Sequence, residues 1–452
     1  MPALNTQRPV WKTFLLFLGP MMLSNILQAL SGTINNIFVG KMVGVGALAA
    51  ASAFFPLMLF LLSFVLGLGT GSSVLIGQAW GAKNHERVRA VAGTTLTVGF
   101  FGGLVIAALG GLFAPALLRA LATPADILAD ATAYSRIMLL TMPGFFLFMI
   151  ATSILRGVSD MVTPLKALLV STCVGLIVTP ALIQGWLGLP RLGVTSAAYA
   201  SVTSFIVTLI WLAWFLRRKD HPLAPNAALF AHLRIERKIL LAVLRIGIPT
   251  ALQMVVLSLA EIALLSLVNG FGSPATAAYG MGNQVLGYVQ FPAMSIAIAA
   301  SILGAQAIGA GHPERLGPIT RTGILLNFAV TGSLLLLCYV FSRSIIGLFT
   351  HDAQVTELAQ RMLHIVLWST LLWGCASVVS AVMRSSGTVM VPTLIAISAI
   401  AFVEVPVAWL LSHRIGLEGV WWGYPATFIT MLIAQSTYYR LVWRHKKIDR
   451  LI

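Results

Sequence analysis

Charge is what this chain lacks most. Of 452 residues only 9% are charged, 13 of them Asp or Glu and 29 Lys or Arg, while 58% are hydrophobic. Soluble domains carry about a quarter charged residues, so an ordinary water-facing fold is excluded and lipid becomes the expected solvent. Cysteine is equally sparse. Cys173, Cys338 and Cys375 fall in separate apolar runs, where a thiol is a small hydrophobe, and no disulfide or metal framework is expected. No Gly-x-x-x-x-Gly-Lys-Ser/Thr occurs, which argues against ATP hydrolysis. The glycine-rich stretch from Gly67 to Ser73 has the look of a phosphate loop, but no strand precedes it, and small residues inside a span serve close helix approach. Alternating segments of β-barrel length are missing too. Neither an enzyme nor a cofactor is expected.

What is present is a series of long apolar runs. They lie near 13–34, 47–76, 90–113, 131–154, 165–186, 194–216, 239–268, 281–308, 319–341, 360–383, 391–411 and 419–443. Each approaches or exceeds the ~20 residues that cross a bilayer as helix. The expected class is an all-α polytopic membrane protein of twelve transmembrane helices. The formal charge of +16 sorts by side: with the N-terminus inside, 22 of the 29 cations, from Arg8 to Arg450, fall on the cytoplasmic side. Only Lys41, Arg119, Arg136, Arg191, Arg343, Arg361 and Arg414 fall on the other. This bias puts both termini in the cytoplasm of a cell inner membrane and accounts for the charge without a nucleic-acid partner. The first run lacks a small-residue cleavage pattern and is too long for a signal-peptide core, so it is expected to stay.

The chain repeats itself. Gln78-Ala-Trp-Gly-Ala-Lys-Asn-His-Glu-Arg87 is echoed by Gln306-Ala-Ile-Gly-Ala-Gly-His-Pro-Glu-Arg315 at a spacing of 228. Arg156 falls on Arg384 and Pro164 on Pro392 at the same spacing, and Pro20 meets Pro249 one residue out of step. A polar, basic stretch from Arg217 to Lys238 separates the copies, giving an N-terminal bundle over 1–216, a cytoplasmic linker over 217–238 and a C-terminal bundle over 239–452. Six spans per copy leave both copies in one orientation, related by a pseudo-twofold axis along the membrane normal. Pro20, Pro56, Pro143, Pro180, Pro249, Pro292 and Pro406 sit in or near spans and are expected to bend them.

Several stretches resemble those of MATE (multidrug and toxic compound extrusion) transporters. Gly77-Gln-Ala-Trp-Gly-Ala82 and Gly304-Ala-Gln-Ala-Ile-Gly-Ala-Gly311 are similar to the loops after the second and eighth MATE helices. Ile37-Phe-Val-Gly40 with Ala47-Leu-Ala-Ala50 resembles the end of the first, and Leu267 to Gly272 with Ala277-Ala-Tyr-Gly280 resembles its partner. Leu155-Arg-Gly157 and Met383-Arg-Ser385 match the ends of the fourth and tenth. The resemblance spans nearly the whole chain. It implies two six-helix bundles forming a V around a cavity that opens alternately to each side, with no cofactor beyond a coupling ion. The major facilitator superfamily also has six plus six helices, but its Gly-x-x-x-Asp-Arg loop is replaced here by Gly81-Ala-Lys-Asn-His-Glu-Arg87.

An ionised group near the bilayer centre costs about 2.5–3.5 kcal/mol on insertion scales, so acids there demand a reason. Glu261 in the seventh span and Glu404 in the eleventh are the ion-coupling candidates. A carboxyl in a partly dry cavity can be neutral in one access state and ionised in another; surrounding oxygens would let Glu261 hold Na+ instead of H+. Either acid could also be held neutral in a helix–helix hydrogen bond. The resemblance adds a contrast. Many MATE members have a glutamate about eight residues after the proline matching Pro249, where this chain has Leu257, with Glu261 one turn later. Many have an aspartate where Asn35 stands, and some have one at the position of Trp373. The coupling role therefore shifts to the second copy.

Gln28, Asn35, Asn36, Gln253, Asn283, Gln284 and Gln290 place amides in spans, either lining a cavity or joining helices. Phe54, Phe55, Tyr279, Met281, Tyr288, Phe291 and Met294 could form an aromatic and Met wall for flat cations, or face lipid and neighbouring helices. His364, near Arg361, reads as an outer-interface residue, and Trp421, Trp422 and Trp443 as interface anchors. These readings converge on a monomeric secondary antiporter that exports small amphipathic or cationic compounds in exchange for H+ or Na+ and touches only membrane lipid besides. A flippase for a lipid-linked precursor and a non-transporting receptor or scaffold are the alternatives.

Overall fold

The computed structural model describes residues 9–121, 123–350 and 352–451. Arg8, one of the cations counted inside, lies outside the described residues. The described chain is helical, with no strand, as expected where lipid offers no partner to backbone N–H and C=O groups. The spans are α1 (Val10–Val43), α2 (Gly46–Gly81), α3 (His85–Ala120), α4 (Leu128–Leu140 and Met142–Gly157), α5 (Val162–Gln184), α6 (Gly193–Arg218), α7 (Arg237–Asn269), α8 (Ser273–Gly309), α9 (Pro313–Val340), α10 (Ala353–Ser385), α11 (Met390–Ile415) and α12 (Gly423–Leu441). Among the described residues ten of these are single helices apolar and long enough to cross a membrane. The eleventh, α4, is bent by 48° next to Pro143. The last, α12, is helical but more polar, carrying Thr427, Thr430, Gln435, Ser436 and Thr437. Thr427 and Thr430 return their hydroxyls to Gly423 O and Ala426 O at 2.9 and 2.8 Å, which lets the helix sit against α10 and α11 without orphaned donors.

The duplication is visible in the backbone. The ends of α2 and α8, the starts of α3 and α9, the ends of α4 and α10 and the starts of α5 and α11 are each 228 residues apart. So are four pairs of left-handed turns: Gly44 and Gly272, Lys83 and Gly311, Ser159 and Gly387, Gly188 and Gly416. The side chains show compensation. A methyl group at Gly157 would come within 2.9 Å of Ile76 Cγ2, so α4 and α2 meet through a glycine opposite an isoleucine. In the second copy the roles reverse, with Ser385 on α10 opposite Gly304 on α8. Symmetry also breaks: α9 contains a π-helical turn over Asn327–Thr331 and α11 another over Ile400–Glu404, while α3 and α5 have none.

By contacts the chain forms two units, one over Leu23–Ile248 and the other from Pro249 onward together with α1 up to Met22. The first unit packs α2 and α3 against α4, and α5 against α6. Its linker is held to α3: Thr94 Oγ1 donates to Arg234 O at 3.0 Å, and Arg87 lies 3.8 Å from Glu236. In the second unit α10 packs against α8 and α12. Trp421 and Trp443 are fully buried rather than anchored at an interface; Trp443 Nε1 donates to Ser386 Oγ and Thr388 Oγ1 at 3.1 and 3.2 Å, so its indole is consumed inside the unit. Trp422 is exposed, as expected of an anchor. Cys338 and Cys375 are buried, whereas Cys173 faces outward from α5.

Candidate functional site

The expected site residues fall into two clusters, each within one unit. In the second unit α7 contributes Glu261, α8 contributes Tyr279 and Asn283 one turn apart, and α12 contributes Tyr424. Tyr279 Oη donates to Glu261 Oε2 at 2.8 Å; Tyr424 Oη lies 3.0 and 2.9 Å from Oε1 and Oε2. The two phenolic oxygens are themselves 2.9 Å apart, and Asn283 Nδ2 reaches Oε2 at 3.4 Å. The arrangement follows from local sequence: Tyr279 and Asn283 share a helix face by their four-residue spacing, and Gly423, just before Tyr424, lets α12 approach the backbone of Glu404, whose carbonyl would lie 3.0 Å from a methyl group there.

Hydrogen counting decides what this cluster can do. Tyr279, Tyr424 and Glu261 are joined by three short oxygen–oxygen edges, but two phenols supply only two hydrogens. With the carboxylate ionised, one edge lacks a hydrogen. With it protonated, a closed ring forms in which Oε1 donates to Tyr424, Tyr424 to Tyr279 and Tyr279 to Oε2. The cluster has room for one additional proton, whose arrival adds the third edge to the two phenol–carboxylate bonds that already join α7 to α8 and α12.

Glu404 is 1% exposed and closes the π-helical turn of α11, with Pro406 two residues on. It lies beside α12 and within electrostatic range of Glu261 and Tyr424, and its Oε1 has no partner among the described residues. Both acids singled out in the sequence thus border α12. The π turn spreads the helix at this point, a device frequent at functional sites.

The first unit holds a cavity of about 200 Å³ between α1, α4, α5 and α6. Gln28 and Asn35 line it, with Thr179 Oγ1 donating to Asn35 Oδ1 at 3.3 Å. Hydroxyls of Ser171, Thr172, Ser201 and Ser204 and rings of Phe145, Phe148 and Phe205 complete the wall, with neither acid nor base on it. Thr172 Oγ1 and Ser204 Oγ are buried without a partner among the described residues, so the cavity offers hydrogen bonds that nothing in the unit uses.

The remaining candidates stand apart. Asn36 is exposed beside Asn35 but does not line the cavity. Phe54 is 2% exposed and packs edge-on against Tyr134. Gln253 is half-buried on α7. Gln284 donates to Tyr288 Oη at 3.4 Å, Tyr288 packs edge-on against Phe291, and Met294 is exposed, forming a separate stripe on α8. His364 is exposed and stacks on Tyr339. Sequence reading missed Tyr424. Its only signal was a tyrosine inside an apolar run, and its partner Glu261 is 163 residues away.

One family model, MatE, matches the chain twice, over residues 20–181 and 249–410, once in each copy. The chain is 47% identical to the "Probable multidrug resistance protein YoeA" of Bacillus subtilis (strain 168), over 98% of this chain and 96% of that protein. It is 23% identical to the "Multidrug export protein MepA" of Staphylococcus saprophyticus, over 94% and 91%. Its fold matches that of a mutant of the Vibrio cholerae MATE transporter VcmN with a TM-score of 0.89, at 22% identity and over 97% and 98% of the two chains. Matched in both copies by the same family model, and nearly end to end by its relatives, the chain belongs to the MatE family of membrane transporters.

Proposed function

We propose that this transporter is a proton-coupled antiporter that exports amphipathic, cationic compounds, with Glu261 as the exchange group. The observation that carries the reading is the ring of Tyr279, Tyr424 and Glu261, complete only when one more proton is present. A proton taken from outside closes the ring by supplying the edge that joins α8 to α12. Its release inward opens one edge and loosens that packing. The same edges speak against Na+ in the plane of the ring: an equilateral triangle of ~2.9 Å sides leaves its centre about 1.7 Å from each oxygen, shorter than even the 2.0–2.1 Å of Mg2+–oxygen contacts. Glu404, buried beside α12, is a second titratable group that lies within electrostatic range of Glu261.

Substrate would enter the neutral, phenyl-walled cavity of the first unit, where stacking and hydroxyl contacts suit a flat lipophilic cation without fixing its identity. The names of YoeA and MepA, multidrug resistance and export proteins, accord with this. A flippase for a lipid-linked phosphate calls for Arg or Lys in the cavity, and this wall has none. We place the transporter in the cytoplasmic membrane with both termini inside, on the 22 to 7 bias of its cations, and take it to act as a monomer. The test is dye export from proteoliposomes with pH and Na+ gradients imposed separately: a pH gradient alone drives export under this reading, and export that follows only the Na+ gradient overturns it.

A further inference from the structure

Apart from both clusters, a pocket of about 410 Å³ opens where the linker meets the first unit, at the end assigned above to the cytoplasm. Arg89 of α3 and Arg217 of α6 form its walls together with the linker residues Asp220, His221 and Asn226. The two arginines are held in the same way. Nε of Arg89 donates to Pro222 O at 3.4 Å, and Nε of Arg217 donates to Pro225 O at 2.7 Å. Each guanidinium keeps its two terminal amino groups, four N–H donors, and among the described residues neither meets a carboxylate. Two anchored forks lining one pocket offer the kind of paired N–H donors by which arginine grips phosphate oxygens.

The loop between them adds few donors of its own. Its backbone amides are spent internally: Leu223 N donates to His221 Nδ1 at 3.2 Å, and Ala224 N and Asn226 N donate to His221 O and Ala224 O, both at 2.8 Å. Pro222 and Pro225 have no amide hydrogen. Asn226 Oδ1 accepts from Leu229 N at 3.1 Å, which leaves its Nδ2 as one more donor at the pocket. Asp220 is the single acid on this wall. The pair is also not something the duplicated scaffold requires: 228 residues beyond Arg89 and Arg217 stand Gly317 and His445.

We propose that this pocket binds the phosphate group of an anionic ligand through Arg89 and Arg217, either the headgroup of an anionic phospholipid or a free phosphorylated compound, and so pins the linker to α3 and α6. The test is thermal unfolding of the purified full chain in neutral detergent with two probes: inorganic phosphate titrated against chloride at constant ionic strength, and phosphatidylglycerol titrated against phosphatidylcholine. At least one probe raises the midpoint saturably, as a ligand of the folded state must. The double variant R89Q/R217Q weakens that probe's half-saturating concentration by about tenfold or more, as expected for losing two charge-assisted contacts. R218Q/K219Q, which removes the same charge beside the pocket, leaves it unchanged. R217Q alone, at an exposed position, gives a smaller shift in the same direction and serves should the double variant fail to fold. A response to phosphatidylglycerol only identifies a lipid headgroup; a response to inorganic phosphate identifies a free ligand. No response to either probe, or equal weakening in both double variants, overturns the proposal.

Discussion

The phenolic oxygens of Tyr279 and Tyr424 lie 2.9 Å apart while each also bonds the carboxylate of Glu261. Tyr424→Phe therefore removes two of the ring's three edges at once. Neutral hydrogen bonds are worth about 0.5–1.5 kcal/mol each, so with two edges lost pH-driven export should fall by about tenfold, with protein yield unchanged. Tyr288→Phe, which loses only the 3.4 Å contact from Gln284, should export at the parental rate. Initial rates of dye export in proteoliposomes compare the two; equal rates would deny the ring a role.

The cavity of the first unit makes a separate prediction. Gly175 lines it, and a methyl group there would sit 3.5 Å from Ser204 Oγ, an ordinary contact, so Gly175→Leu fits the backbone while filling the space. Dye binding, followed by fluorescence polarisation, should weaken by about tenfold or more, about 1.4 kcal/mol, with the unfolding midpoint held within a few degrees. Unchanged binding would place the substrate elsewhere.

Compensation between the two copies can be tested by exchange. Gly157→Ser should destabilise the chain by about 1–3 kcal/mol, because its side chain runs into Ile76. Adding Ile76→Gly reproduces the arrangement of Ser385 opposite Gly304, and the pair should cost less than the sum of the two single changes. Unfolding in detergent gives the coupling directly; strictly additive effects would contradict the reading.

In the linker, burial holds the His221 imidazole below its usual range and outweighs the pull of Asp160 3.7 Å away. The folded protein then binds fewer protons than the unfolded chain in the window below about 6.5, so stability rises with pH there and is lost on acidification. Protection factors for amide exchange across residues 219–236, with the intrinsic pH dependence of exchange divided out, should fall between pH 7.5 and 5.5, and His221→Gln should flatten that dependence. A pH-independent linker in the parent protein would refute it.

The spans, the duplication and Glu261 could be read from sequence because each rests on a local signal: apolar length, a fixed spacing, an acid where acids are costly. Asn283 was within reach for the same reason, lying one turn from Tyr279. Tyr424 was not, because its importance comes from a contact between α12 and α7 that no local pattern announces. Trp443 misled for a related cause: a tryptophan near a span end is an interface anchor only if its indole finds no partner inside, and Ser386 and Thr388 provide two. Gln28 and Asn35 were separable from Asn36 only by helix rotation and packing, which brought Thr179 to Asn35 and left Asn36 exposed.

Proton exchange at Glu261 is tested most directly by proton release on substrate binding, measured with a pH indicator on purified protein in weakly buffered detergent. The parent protein should release close to one proton per dye molecule bound, and Glu261→Gln none while remaining folded. Equal release from both would contradict the assignment of the exchanging proton to Glu261.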